Sequence, residues 1–86
     1  MIGAKARARR FAERLANAVD SDTDARISLA FLIAIGRMPL ETELDSAHRF
    51  IRAQTDTYAD KPDGPQRAWI DLCQMLMASN AFLYVE

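Results

Sequence analysis

Apolar residues recur at spacings of three and four in four separate stretches of the chain, the period of helices that each bury one face. In the first stretch, about residues 4 to 19, Ala4, Ala8, Phe11, Leu15 and Ala18 with Val19 share a face expected to meet the core. The other side carries Lys5, Arg7, Arg9, Arg10 and Arg14 against the single acid Glu13. Ser21-Asp22-Thr23-Asp24 then offers side-chain acceptors and negative charge suited to a helix N-terminus. The run that follows, Arg26 to Ile35, is apolar around nearly its whole circumference, so a helix there calls for cover on several sides. Gly36 supplies a left-handed stop. Its β-branched and bulky residues also suit a strand, but its length with Asp22 to Arg26 and its end signals favour a helix.

Pro39 with Glu41, Glu43 and Asp45 marks the opening of a third helix, because proline presets the turn and carboxylates complement the helix dipole. Leu44, Ala47, Ile51 and Tyr58 form its stripe, widened by Phe50, and Asp45 stands four before Arg49 in the favourable order for an ion pair. Ala59 to Pro65 reads as a loop, with Asp63 or Gly64 as the cap of a last helix and Pro65 in its first turn. Trp69, Leu72, Cys73 and Leu76 repeat at helical spacing, broadened by Met75 and Met77 as far as Ser79 and Asn80, where asparagine suits a left-handed stop. Phe82 to Val85 is too apolar for a free tail and is expected to pack back on the bundle. The predicted fold is all-α: one domain over residues 1–86, a compact bundle of about four helices with an ordered apolar C-terminal tail. The second helix is expected at its centre, with Trp69, Phe31 and the tail sharing its core.

At 86 residues the chain buries only about 60 to 65% of the surface its unfolded form exposes, which limits how much apolar surface one domain can hide. Composition is that of an ordinary globular domain, half apolar and 27% charged, with a net charge of -1 that gives no general attraction to phosphates or acidic membranes. A lone cysteine cannot form an internal disulfide and leaves the redox compartment open. The longest strongly apolar run, Leu29 to Ile35, is far short of the roughly 18 to 20 residues that span a bilayer. The opening residues lack the apolar core of a secretory signal, so export would be directed by sequence outside this chain.

Chemistry is sparse. His48 is the only histidine and sits on the third helix with no serine or cysteine placed to use it as a base, which makes it a partly buried residue with a satisfied ring nitrogen. Cys73, at core spacing between Leu72 and Leu76, reads as a small buried hydrophobe. One histidine and one buried cysteine do not make a zinc site, and Glu41, Glu43 and Asp45 serve the helix dipole rather than a paired-acid mechanism. The glycines Gly3, Gly36 and Gly64 are isolated, so no phosphate-binding loop forms. No catalytic residue, cofactor site or metal site is expected.

Two stretches carry a resemblance. Asp24-Ala25-Arg26-Ile27, then Leu29 to Ile35 with Gly36-Arg37-Met38-Pro39 and Glu43-Leu44, and the closing Trp69-Ile70-Asp71-Leu72-Cys73-Gln74-Met75-Leu76-Met77-Ala78-Ser79-Asn80-Ala81-Phe82-Leu83-Tyr84-Val85-Glu86, resemble a planctomycete family. It is the C-terminal domain of unknown function of large exported proteins, many of which also carry an N-terminal planctomycete cytochrome c module. The likeness covers most of the chain; its closing motif is long and specific, and the first helix is generic. It implies that the chain is the last piece of a longer protein exported to the periplasm or beyond, with Met1 an internal or introduced methionine. It brings no activity, and the haem-binding cysteines and histidine of that module have no counterpart here. Leu40 departs from the family's usual capping threonine and Ala81 from its common acid, which implies weaker local capping.

The expected function is a non-catalytic structural or protein-interaction module. Its partners are the upstream domains of the parent protein or a second copy, with no membrane, and its surface includes Arg7, Arg10, Arg14, Phe82 and Tyr84. Two other readings stay open: a nucleic-acid-binding domain using the basic first helix, and an accessory domain of an enzyme or redox protein. Against nucleic acid, a helix-turn-helix would bring Glu41, Glu43 and Asp45 to the phosphates, which repel them.

Overall fold

Four helices in chain order account for the regular structure: α1 (Ala4–Ala18), α2 (Thr23–Ala34), α3 (Glu41–Thr57) and α4 (Gly64–Leu83). The computed structural model describes residues 4–19 and 22–83, with side chains for 6–19 and 22–79. The all-α bundle expected from the periodicity is the observed fold, and no strand occurs among the described residues.

Each chain reversal is fixed by local chemistry. At the start of α2, Asp22 takes extended backbone angles and its carboxylate accepts from the Ala25 N–H at 3.1 Å, the N-cap anticipated there. Gly36 ends that helix with φ of 87°, its N–H donating to the Phe31 and Leu32 carbonyls at 3.1 Å each. The next helix begins without a side-chain acceptor at its cap, since Leu40 is aliphatic. Glu43 compensates: its Oε1 accepts the Leu40 N–H at 2.8 Å, half of a capping box. The same carboxylate takes a two-pronged contact from Arg37, at 2.8 and 2.9 Å, so residues 37 to 43 close into one clasp. The final reversal brings Gly64 so close to Tyr58 that a Cβ would stand 2.5 Å from the Tyr58 carbonyl oxygen.

Packing overturns one expectation. The second helix is not the centre; α4 is, because although each of the two touches all three other helices, α4 makes the extensive contacts, with α1 and α3, and α2 only light ones. Ala68, Trp69, Ile70, Leu72, Cys73 and Leu76 are all buried, so α4 hides most of its circumference. Its 20 residues give a length of about 30 Å, enough to run along every neighbour, whereas α2 is only three turns long. Ala8 and Ala12, small and four apart, let α1 approach α4 closely, with Leu15 completing that face. Ala8 and Leu15 are buried and Phe11 half-buried as expected, but Ala12, outside the expected stripe, is core and Ala18, within it, is exposed. On α3, Ala47 is buried and Leu44, Phe50 and Ile51 pack half-buried against the core. Phe31 and Trp69 join the core as expected. Asn80 does not stop α4, which continues to Leu83, and Met75 points outward. Phe82 and Leu83 belong to α4, and the expected packing of the tail's side chains, with Tyr84 and Val85, lies outside the described residues.

Polar contacts between elements fasten this frame. Arg26 donates from Nε to the Val19 carbonyl at 2.7 Å, satisfying the end of α1, and its guanidinium lies 4.9 Å from the Trp69 ring centroid. Asp71 accepts from Gln54 at 2.8 Å and from the Tyr58 hydroxyl at 2.7 Å, joining α3 to α4. The expected Asp45–Arg49 pair forms.

Two outcomes follow for stability. Gly64→Ala forces Tyr58 or the α4 start to shift and is expected to lose about 1 to 3 kcal/mol in urea unfolding followed by Trp69 fluorescence; an unchanged midpoint would contradict the close approach. Glu43 is held at about 2, below its ordinary 4.5, first by the Arg37 hydrogen bonds and then by the Leu40 N–H. A depressed folded value means its contribution is complete above about pH 4.5 and is lost as pH falls towards 2. Glu43→Ala should cost about 1 kcal/mol at neutral pH and lose less stability than wild type across that acid window, as read by thermal melts at stepped pH.

Candidate functional site

The basic side of α1 is built by spacing alone. Arg7, Arg10 and Arg14 stand at i, i+3 and i+7, on one face over about 10.5 Å of helix, and all three are exposed. They border a groove of about 380 Å³ between α1, α2 and α4, with Phe11 from α1, Ile33 and Ala34 from α2, and Met77 from α4 as its apolar lining. The ion pairs among the described residues are Arg37–Glu43, His48–Asp24, Arg49–Asp45 and Arg67–Asp63, none of which uses these arginines. Glu13, the one acid of α1, lines a different hollow, beside Asn17 and Trp69. Among the described residues the ridge therefore keeps its positive charge.

Why α2 leaves apolar surface next to that ridge follows from its buried stripe. Ile27, Ala30, Phe31 and Ala34 face inward at helical spacing, and the other side of an apolar helix has nothing left to meet. Leu32 and Ile33 are accordingly 48% and 40% exposed. Of the predicted surface residues, Arg7, Arg10 and Arg14 share one face; the side chains of Phe82 and Tyr84 lie outside the described residues. Ile33 and Met77 were not singled out by sequence reasoning as surface. The signal was present for Ile33, since a three-turn helix that is apolar all round has more apolar surface than one core can take.

Two other depressions differ in character. A second apolar groove runs past Phe31, Leu72 and Met75, about 350 Å³ near Ala47 and Phe50 and about 590 Å³ near Ile35 and Ser79. Its charged wall is the Arg37–Glu43 pair, already mutually satisfied. The hollow at Trp69, about 520 Å³, is bordered by Arg26, whose Nε is committed to Val19.

The reactive residue types do not converge. His48 lies half-buried on α3 and its Nε2 meets the Asp24 carboxylate of α2, a contact that ties two helices together. The depression beside it, bordered by Glu41 and Asp45, is open along the start of α3, and Asp45 is turned to Arg49. Cys73 is fully buried among apolar residues, and that burial pushes its thiol up to about 12. Among the described residues no three histidine, cysteine or carboxylate side chains come together as a metal ion would need. No helix among them is long and apolar enough to cross a membrane.

No protein-family model, no curated protein and no solved structure matches the chain.

The state of Cys73 has a direct readout. A thiol reagent at neutral pH should modify the folded chain only as fast as the core opens, with the rate rising steeply in denaturant. Modification in native buffer as fast as for a free thiol would place Cys73 at the surface instead.

Proposed function

We propose that this chain is a non-catalytic structural or protein-interaction module, the closing domain of an exported multidomain protein of the planctomycete type it resembles. Its partner is the upstream part of that protein or a second copy of the same domain. The observation that supports this most is the pair Leu32 and Ile33, exposed on a well-formed helix, of which Ile33 lines a groove of further apolar side chains. Large apolar side chains grouped at a surface gain free energy when a partner covers them, about 1.5 to 3 kcal/mol for each one fully buried.

Catalysis is the weaker reading, because the only histidine spends its contact on a helix-to-helix pair and the only thiol is shut in the core. Nucleic-acid binding is weaker too. Phosphates would meet arginines from α1 alone, since α2 and α4 line the same groove with Ile33, Ala34 and Met77. An export compartment is carried by the family resemblance only.

Replacing both exposed residues, Leu32→Gln with Ile33→Gln, should leave helicity intact and shift stability by no more than about 1 kcal/mol, because neither side chain fills the core. The same variant should lose self-association in light scattering after size exclusion, or capture by the upstream part of the parent protein. A wild-type chain that is strictly monomeric and has no affinity for that upstream part would overturn the proposal.

A further inference from the structure

Resting on the interaction-module reading, we infer that the groove between α1, α2 and α4 receives an acidic amphipathic helix of a partner protein. One large apolar side chain of that helix seats among Phe11, Ile33 and Met77, and carboxylates repeating every three to four residues meet Arg7, Arg10 and Arg14.

Three observations lead to this class of partner. First, the charge along the ridge is of one sign and has no ion-pair partner among the described residues, so a negative surface is the complement. Second, the arginines repeat at the helical period, and the acidic positions on one face of a second helix recur with the same spacing, so a roughly parallel or antiparallel helix keeps all three pairs in register. Arginine suits this role because its planar fork can hold a carboxylate with two hydrogen bonds. Third, the groove beside the ridge is apolar and small. At about 380 Å³ it takes one or two side chains rather than a folded element, which is how an amphipathic helix docks by its anchors.

The same geometry argues against a polyanion. A nucleic-acid backbone gains affinity by meeting cations on several elements, and here the other walls are aliphatic. A helix with both an acidic and an apolar edge uses both halves of the surface. Phosphates would use only one.

The test is a binding titration by fluorescence anisotropy on the full chain. The probes are a synthetic helical peptide with glutamates at i, i+3 and i+7 beside a leucine stripe, its lysine-for-glutamate counterpart, and a labelled DNA duplex. The acidic peptide should bind, weaken as salt is raised, and lose about tenfold or more in affinity with Arg10→Glu and again with Ile33→Gln, while the lysine peptide does not bind. Arg10 and Ile33 are both exposed, and circular dichroism with Trp69 fluorescence verifies that each variant remains folded. Absence of binding, an affinity indifferent to Arg10→Glu, or tighter binding of the duplex than of the acidic peptide would each overturn the inference. Association that depends on Leu32 and Ile33 but not on the arginines would overturn it while leaving the interaction-module function standing; loss of both kinds of association would remove the two together.

Discussion

The structure depends on hiding α4. A helix with buried side chains at Ala68, Trp69, Ile70, Leu72, Cys73 and Leu76 cannot be covered by one neighbour, because those positions point in most directions around its axis. Three helices must therefore come to it, and the order of the chain is a way of delivering them: α1 and α3 with extensive contacts, α2 with a smaller one that also touches α1 and α3. Small residues set the distances. Ala8 and Ala12 on α1, Ala30 and Ala34 on α2 and Ala47 on α3 are all buried, and each lets a backbone come near where a leucine would hold it off. Larger residues then fill the space between, with Leu15, Ile27 and Leu72 completely enclosed.

Given that frame, the polar residues at its turns and helix ends have structural tasks. Arg26 completes the end of α1 and lies over the Trp69 ring; Arg37 and Glu43 clasp the turn that begins at Gly36; Asp71 gathers Gln54 and Tyr58 across two helices. These are contacts between elements distant in sequence or across a reversal, and they sit at the edges of the core where water still reaches. No side-chain polar atom among the described residues is buried without a hydrogen-bond partner. These residues fasten turns and helix ends.

A small domain pays for its size in uncovered apolar surface. Packed against the other three helices only along the stripe of Ile27, Ala30, Phe31 and Ala34, α2 leaves Leu32 and Ile33 uncovered. The arginine ridge of α1 lies beside them because α1 and α2 both reach α4 at neighbouring positions, not because either sequence alone requires it. Charge and apolar surface are brought together there by packing, and that junction is what gives the surface a direction and a complement.

Periodicity and end signals were enough to read the number of helices, their kind and most of their limits, since these arise from neighbours a few residues away. Asp22 as a cap, Gly36 in the left-handed region and the break before Pro65 are local matters of backbone geometry, and they were legible for that reason. His48 as a partly buried residue with a satisfied ring nitrogen and Cys73 as core were legible too, one from its lack of catalytic company and the other from its spacing; that Asp24 would be the partner of His48 was not. The choice of central helix was not. Hydropathy favoured α2, but centrality depends on how much of its surface a helix can lay against its neighbours, and that is decided by length and by small residues at the contacts, which look the same in sequence whether buried or exposed: Ala12 is core and Ala18 is not. Likewise the chain order placed three arginines on one helix face, but only the assembled bundle set Ile33 and Met77 beside them, because a groove between three helices has no counterpart in any one of them.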